Sequence, residues 1–142
     1  MKSSTTFNSK LEQILLESDC DEYDAAVAVV QKGNKWLLGL STATYDDRNK
    51  RWCFPGGGIK KGEDTKKAAA RECKEETGIR CKPVGEPFTH GNKKGVAFVH
   101  CRATGNQKFN NNPEFSALGW FTLDEMKALK LYKNVRALIR RV

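Results

Sequence analysis

Apolar residues along this chain fall into short runs separated by turn chemistry, and only a few segments carry helical spacing. Ser9-Lys-Leu-Glu12 has the form of a capping box, with Leu11, Ile14 and Leu15 spaced behind it, which predicts a short amphipathic helix over 9–18. The acidic stretch Asp19–Asp24 ends it. Ala25-Ala-Val-Ala-Val-Val30 is a continuous apolar run suited to a buried strand, and Trp36-Leu-Leu-Gly-Leu40 is a second. Lys32-Gly-Asn34 between them is turn chemistry, so the pair predicts a hairpin. Asp46–Lys50 is a charged loop; Trp52-Cys-Phe54 is a brief strand halted by Pro55-Gly-Gly-Gly58.

The clearest helix lies over 65–77, with Asp64 placed to cap its start and Gly78 just past its end. Beyond it, 80–84, 95–102 and 116–121 predict strands, 106–113 a loop rich in asparagine, and 123–129 and 132–140 helices. Strands mixed with few helices, without regular alternation, indicate an α/β protein of the α+β type. A mixed sheet in a sandwich is expected rather than a doubly wound sheet. A length of 142 residues suggests one domain and supports a hydrophobic core without staples. The domain is assigned to 23–142, behind a helical N-terminal extension over 1–22.

The formal net charge of +8 favours anionic partners without choosing among nucleotide, nucleic acid and acidic membrane surface. Five cysteines, Cys20, Cys53, Cys73, Cys81 and Cys101, form no Cys-x-x-Cys pair. An odd number without zinc spacing reads as free thiols in a reducing, cytoplasmic compartment. Met1–Asn8 is too polar for the core of a secretory signal, and no apolar run approaches membrane-spanning length.

Chemistry concentrates on the 65–77 helix. Relative to Glu72, Glu75 lies at about −60° and Glu76 at about +40°, so the three share one face. Ala68 falls in the same sector and blocks nothing; Ala69, Ala70, Cys73 and Thr77 form a neighbouring packing sector, and Lys67, Arg71 and Lys74 fall on the far side. A salt-bridged surface helix is one reading, since Glu63–Lys67 and Arg71–Glu75 have i,i+4 spacing. Glu72 and Glu76 share that spacing, and like charges there repel. A hard cation would turn the repulsion into coordination, and carboxylate oxygens suit magnesium or manganese over zinc. The glycine run before the helix lets peptide groups approach a ligand closely.

Order and spacing join these features. Residues 57–79 contain Gly57, Glu63, Arg71-Glu72, Glu75-Glu76, Gly78 and Ile79 at fixed separations. The stretch resembles the Nudix box, with every fixed position filled and Cys73 standing where the family usually has an aliphatic residue. Trp52-Cys-Phe-Pro-Gly-Gly57 and Gly119-Trp-Phe-Thr-Leu-Asp-Glu125 resemble the family's flanks. The resemblance implies a Nudix-like α/β/α sandwich in which a loop–helix–loop holds the metal. It further implies Glu72, Glu75 and Glu76 as side-chain ligands, the Gly56 carbonyl as a backbone ligand, and an Arg71–Glu63 pair fixing helix to loop. It also implies Mg2+- or Mn2+-assisted attack of water on a phosphoanhydride bond, with Glu72 or Glu75 as base. Glu114 is a candidate base outside the box; an uninvolved loop glutamate is the competing reading.

Two departures matter. The arginine that often ends the family's second strand is replaced by Ser41, leaving Arg48, Lys50 and Arg51 in the next loop as substitutes or as solvated charges. Markers of subgroups acting on ADP-ribose or dinucleoside polyphosphates are absent from Lys94-Gly-Val-Ala97. A nucleotide-like small-molecule substrate is expected. RNA 5′ ends are the alternative, favoured by the charge and by Lys127, Lys130, Lys133, Arg136, Arg140 and Arg141. These basic residues also read as two solvated helix faces. A binding module that has lost catalysis is the third reading, disfavoured by the complete box. Tyr45, Phe88 and Phe109 stand in or near loops; Trp36 and Trp52 read as core, and His90 and His100 have no partner at ligand spacing. No membrane association is expected, and the oligomeric state is left open.

Overall fold

The computed structural model describes residues 23–44, 47–89 and 95–140. The expected helix over 9–18 and the extension over 1–22 lie outside the described residues, as do Cys20, Tyr45, His90 and Arg141.

Strands β1 (Ala25–Lys32) and β2 (Lys35–Ser41) form the expected hairpin, with Gly33 at φ +61° in its turn. Their antiparallel pairing runs only beside that turn, Gln31 opposite Trp36 and Lys32 opposite Lys35. Beyond it they diverge, because each is drawn to another partner. β1 runs parallel to β6 (Val96–Arg102) along Ala25–Gln31, while β2 runs antiparallel to β7 (Phe115–Thr122). The wedge so opened is filled by residues 52–58. There β3 (Trp52–Cys53) pairs with β2, β4 (Gly56–Gly58) pairs with β1, and the Ala28 amide donates to the Pro55 carbonyl at 2.8 Å. β5 (Lys82–Pro83) adds to the far edge of β6. The result is a mixed seven-stranded sheet.

Both faces of the sheet are covered, which explains why β1 is apolar without alternation. Ala26, Ala28 and Val30 face helix α1 (Thr65–Thr77), packing with Ala68, Ala69 and Cys73. Val29 and Phe98 face the opposite way, against helices α2 (Leu123–Lys127) and α3 (Lys133–Ile139) through Met126, Val135 and Ile139. This is the expected α/β/α sandwich. The alanines let α1 lie close on the sheet. Trp36 and Trp52 pack at the rim of the second core, as their strand positions indicate.

α1 has the predicted ends. The Asp64 carboxylate accepts from the amides of Lys66 and Lys67 at 3.1 and 3.3 Å, and Gly78 takes φ +82° while donating to the Lys74 carbonyl. α2 starts on a capping box between Thr122 and Glu125. Several boundaries differ from expectation. The 80–84 strand shrinks to two residues, and both C-terminal helices are shorter than their apolar spacing suggests. Cys53, Cys73, Cys81 and Cys101 are free thiols; hydrogen bonding to Cys81 and burial push Cys73 up, and Cys81 rises to about 12, chiefly through Cys101. Such thiols are packing groups rather than nucleophiles.

The glycine run is the main correction. Rather than only halting the strand before it, Gly56–Gly58 is itself a strand laid against β1. A Cβ on Gly56 would stand 2.7 Å from the Ala26 carbonyl oxygen and 2.9 Å from the Val27 Cα, both backbone atoms. On Gly58 it would meet only the Asp24 carbonyl at 3.9 Å. Gly56→Ala should therefore cost about 1–3 kcal/mol of stability by urea unfolding, whereas Gly58→Ala should stay within about 0.5 kcal/mol. Equal effects would contradict the placement of β4.

Candidate active site

The wedge between β1 and β2 ends in a cavity of about 600 Å³ whose lining includes Gly56–Gly58, Glu72, Glu76, Glu114 and Arg48. Glu76 is the most buried of its carboxylates, at 6% exposure, and its Oε1 accepts the Gly56 amide at 3.0 Å. Burial and a hydrogen bond that the protonated Glu76 donates to Glu114 push its carboxyl up to about 9, against the pull of the Gly56 amide. Glu72 is also raised, chiefly by burial, with Arg71 opposing. The Glu72 carboxylate occupies the space that a side chain on Gly57 would fill. Glycine at 57 is thus a condition for Glu72 reaching the cavity.

Glu75 behaves differently from the other two. Its side chain is 53% exposed, it is absent from the cavity lining, and it accepts from Arg71 Nη1 at 3.1 Å. The shared helical sector keeps Glu75 beside Glu72, both against Arg71 Nη1 at 3.1 and 3.5 Å, but only Glu72 and Glu76 line the cavity. Ala68, assigned to the same sector, is fully buried in the core. Arg71 is not on a solvated far side: its side chain is 21% exposed. It holds Glu63 through Nε at 2.7 Å and Nη2 at 3.0 Å, and donates to the Gly58 carbonyl at 2.9 Å. Hydrogen bonding to Arg71, then to the Lys60 amide, holds Glu63 down at about 2. One guanidinium thus joins α1, the loop before it and β4.

Glu114 reaches the cavity through a bound loop. Asn112 Oδ1 accepts the Glu114 amide at 2.8 Å while its Nδ2 donates to the Glu75 carbonyl at 3.2 Å. Asn110 Nδ2 donates to the same carbonyl at 3.1 Å, and its amide donates to Thr77. On the other side Thr42 binds the carbonyls of Pro113 and Glu114. The asparagine-rich loop therefore ties the C-terminal end of α1 to β2 and carries Glu114 between them.

A family model, the NUDIX domain, matches residues 22–142. The chain belongs to the Nudix family. It is 28% identical over 137 residues to a nudix hydrolase of Caenorhabditis elegans, covering 94% of this chain and 37% of that protein. Over 64 residues it is 42% identical to an RNA pyrophosphohydrolase of Bartonella bacilliformis, covering 41% of this chain and 38% of that one. The chain thus spans well under half the length of these curated relatives. A crystal structure of a C. elegans Ap4A hydrolase superposes with a TM-score of 0.65 at 23% identity, covering 82% of this chain and 93% of that one, a likeness of fold.

Around the Nudix box stand residues that sequence alone did not assign. Arg48, read also as a solvated loop charge, lines the cavity, whereas Arg51 turns to the Leu131 carbonyl at 3.4 Å and Lys50 is exposed in its turn. A recess of about 200 Å³ opens from the cavity between Phe54, Phe98, Tyr132 and Asn134. Among the described residues, Asn134 Oδ1 is buried with no hydrogen-bond partner. No sequence signal marked Asn134. Lys127, Lys130, Lys133, Arg136 and Arg140 are exposed; Lys133 alone of these packs beside the recess, 5.8 Å above the Tyr132 ring. His100 bonds Gln31 at 2.9 Å and packs on Trp36, and Phe88 stacks on Phe98, so neither belongs to the cavity.

Among the described residues no three acidic, histidine or cysteine side chains form a finished metal shell. The donor chemistry nonetheless fits a hard cation: the cavity brings carboxylate oxygens of Glu72, Glu76 and Glu114 beside the peptide groups of Gly56–Gly58. The hydrogen bond between Glu76 and Glu114 shows two acids close enough to share one positive charge. No helix among the described residues is long and apolar enough to cross a membrane.

Glu63 and Glu76 act on stability with opposite signs. Glu63 is depressed from 4.5 to about 2, so its contribution is present above 4.5 and is lost as pH falls through 2. Glu63→Gln should flatten that acid-range loss in urea unfolding. Glu76 is raised from 4.5 to about 9, so its contribution is full below 4.5 and is lost as pH rises through 9. In metal-free buffer Glu76→Gln should match wild type near pH 4 and exceed it in thermal stability near pH 8. A Glu76→Gln protein less stable at pH 8 would contradict the buried, strained carboxylate.

Proposed function

We propose that this Nudix protein hydrolyses a phosphoanhydride bond in a nucleotide-linked substrate, using water and Mg2+ or Mn2+. The observation that carries this reading is the convergence of Glu72, Glu76 and Glu114 with the bare backbone of Gly56–Gly58 on one cavity. When bound, the cation neutralises the phosphate oxygens and lowers the pKa of its water. Glu72 and Glu76 hold it, with the Gly56 carbonyl as a backbone donor. Glu75 serves the site through Arg71 rather than as a ligand.

Glu114 is the general base in this reading, because it lines the cavity yet remains exposed. It accepts a proton from water as the water oxygen bonds to phosphorus and the bridging oxygen leaves with the second phosphate. Arg48 faces the same cavity and offers a fixed positive charge to the phosphate chain. Arg71 keeps β4 and α1 in register through Glu63 and Gly58.

A free nucleotide is the first substrate class. The recess beside the cavity is lined by aromatic rings and ends in the unpaired Asn134 Oδ1, which suits a base offering an N–H donor. An RNA 5′-triphosphate end is the second reading, supported by the +8 charge and by likeness to a protein named RNA pyrophosphohydrolase.

Turnover of nucleoside triphosphates, nucleotide sugars, ADP-ribose and 5′-triphosphate RNA with Mg2+ tests the proposal. Glu76→Gln should lower activity by about 100-fold or more and raise the Mg2+ requirement, since removing even an outer partner of a metal costs about 10–100-fold. Glu114→Gln should lower kcat by about 10²–10⁴-fold with the Mg2+ requirement unchanged. No turnover of any substrate would overturn the hydrolase reading. A changed Mg2+ requirement in Glu114→Gln would make Glu114 a ligand instead.

A further inference from the structure

The sheet has two outer edges, and they are built differently. β5 closes one edge with only Lys82 and Pro83, a charged side chain and a residue without an amide hydrogen. Both are devices that keep a further strand away. β7 closes the other edge with Phe115–Thr122, eight residues that include no charge and no proline. Ser116 is an extra residue opposite the Leu40–Ser41 step, and Thr122 turns into α2 through its capping box. The regular part of this edge is therefore 117–121.

Which groups point outward follows from β2. The Ser41 amide donates to the Arg51 carbonyl and the Ser41 carbonyl accepts from the Lys50 amide, both at 2.9 Å, on the side of β3. The next amide, of Thr42, donates to the Glu114 carbonyl at 3.0 Å, on the side of β7. Strand alternation then turns the peptide groups of Leu40, Leu38 and Trp36 toward β7, where they meet Ala117, Gly119 and Phe121. The amides and carbonyls of Leu118 and Trp120 thus face away from β2. Among the described residues they have no hydrogen-bond partner. Beside them lies a hollow of about 430 Å³ between residues 109–113 and residues 115–118. On the α1 side of the same edge the Phe109 ring is 37% exposed and stacks on Trp120, with centroids 6.3 Å apart.

We propose that this edge pairs with the same edge of a second copy of the chain, antiparallel and about a twofold axis at Gly119. The register is self-complementary. Leu118 faces Trp120 of the second copy and Trp120 faces its Leu118, each pair exchanging two hydrogen bonds. Gly119 faces its own copy at the closely spaced position between the bonded pairs. The space of its missing side chain is taken by Phe121, 2.8 Å from where a Cβ would stand, so nothing projects there. The arriving strand fills the hollow and covers Leu118 and Phe109. Pairing ends before Glu114 and Asp124, so the paired strands bring no like charges together. A chain of net charge +8 repels its copies, and a neutral edge is where they approach at least electrostatic cost. A strand from another protein would use the same peptide groups; the symmetry about Gly119 and the lack of charge select a second copy. The pairing is independent of the hydrolase reading.

Sedimentation velocity of the full chain over a concentration series tests it, on wild type, Leu118→Lys and Val84→Lys. Val84 is the control: it is 48% exposed and follows β5 at the opposite edge. Wild type should dimerise as concentration rises, and more tightly in high salt, which screens the repulsion between copies. Leu118→Lys should raise the dimer Kd by about 10-fold or more, the size expected on losing one or two of the shared hydrogen bonds. Its thermal unfolding as a monomer should match that of wild type, because the new lysine faces water. Val84→Lys should leave the dimer unchanged. A wild type that is monomeric at every concentration, or a dimer that Leu118→Lys leaves intact, would overturn the proposal. So would a dimer that Val84→Lys alone dissociates, since that places the contact at β5. Amide hydrogen exchange on wild type reads the bonds without any variant. The Leu118 and Trp120 amides should exchange several-fold more slowly in concentrated than in dilute protein. Equal rates at both concentrations would reject the pairing and leave the edge to a different partner.

Discussion

The arrangement depends on one hydrogen bond, from the Gly56 amide to the Glu76 carboxylate at 3.0 Å. It fixes where helix α1 meets strand β4, at the one place where the sheet has been opened. β1 and β2 can diverge only if something fills the gap, and the 52–58 segment does so with a backbone that carries almost no side chains on one side. That bareness brings Glu72 and Glu76 against peptide groups rather than against a packed surface. A carboxylate so deeply buried is costly by itself. The Gly56 amide and, in the proposed function, a divalent cation relieve part of that cost, while the neighbouring Glu114 adds to it.

Arg71 and Asn112 extend the same constraint outward. Arg71 reaches Glu63, Glu75 and Gly58, so the loop before α1, the helix and β4 move together. Asn112 joins the helix end to the backbone of Glu114. Charge placement thus follows from fixed elements on three sides, as a site that must hold phosphates and a cation in register requires. The family membership accords with that architecture. The proposed activity and substrate rest on the cavity and the recess beside it.

Much of the fold was legible in the sequence because it rests on local signals. Asp64 and Gly78 bracket α1 as their side-chain chemistry dictates, and the apolar β1 run is buried on both faces. The glycine strand was not legible. Glycine has little strand propensity, and its pairing with β1 is forced by how close the chains must come, which is a tertiary fact. The helical face correctly singled out glutamates but gave only angles. Whether a carboxylate is buried like Glu76 or turned to Arg71 like Glu75 depends on the neighbouring sheet. Arg48 and Glu114 lie in loops with no periodicity, so their approach to the cavity follows from the loops' attachments. Asn134 sits in a short helix, and only its unsatisfied oxygen distinguishes it.

In the proposed function Glu72 and Glu76 hold a divalent cation against β4, with Glu114 beside it as the base. Mn2+ binding to wild type and Glu76→Gln, followed by electron paramagnetic resonance of the free ion, tests it without any substrate. A saturable site is expected in wild type, weakened by about 10-fold or more in Glu76→Gln. Equal Mn2+ binding by the two proteins, or none by either, would contradict it.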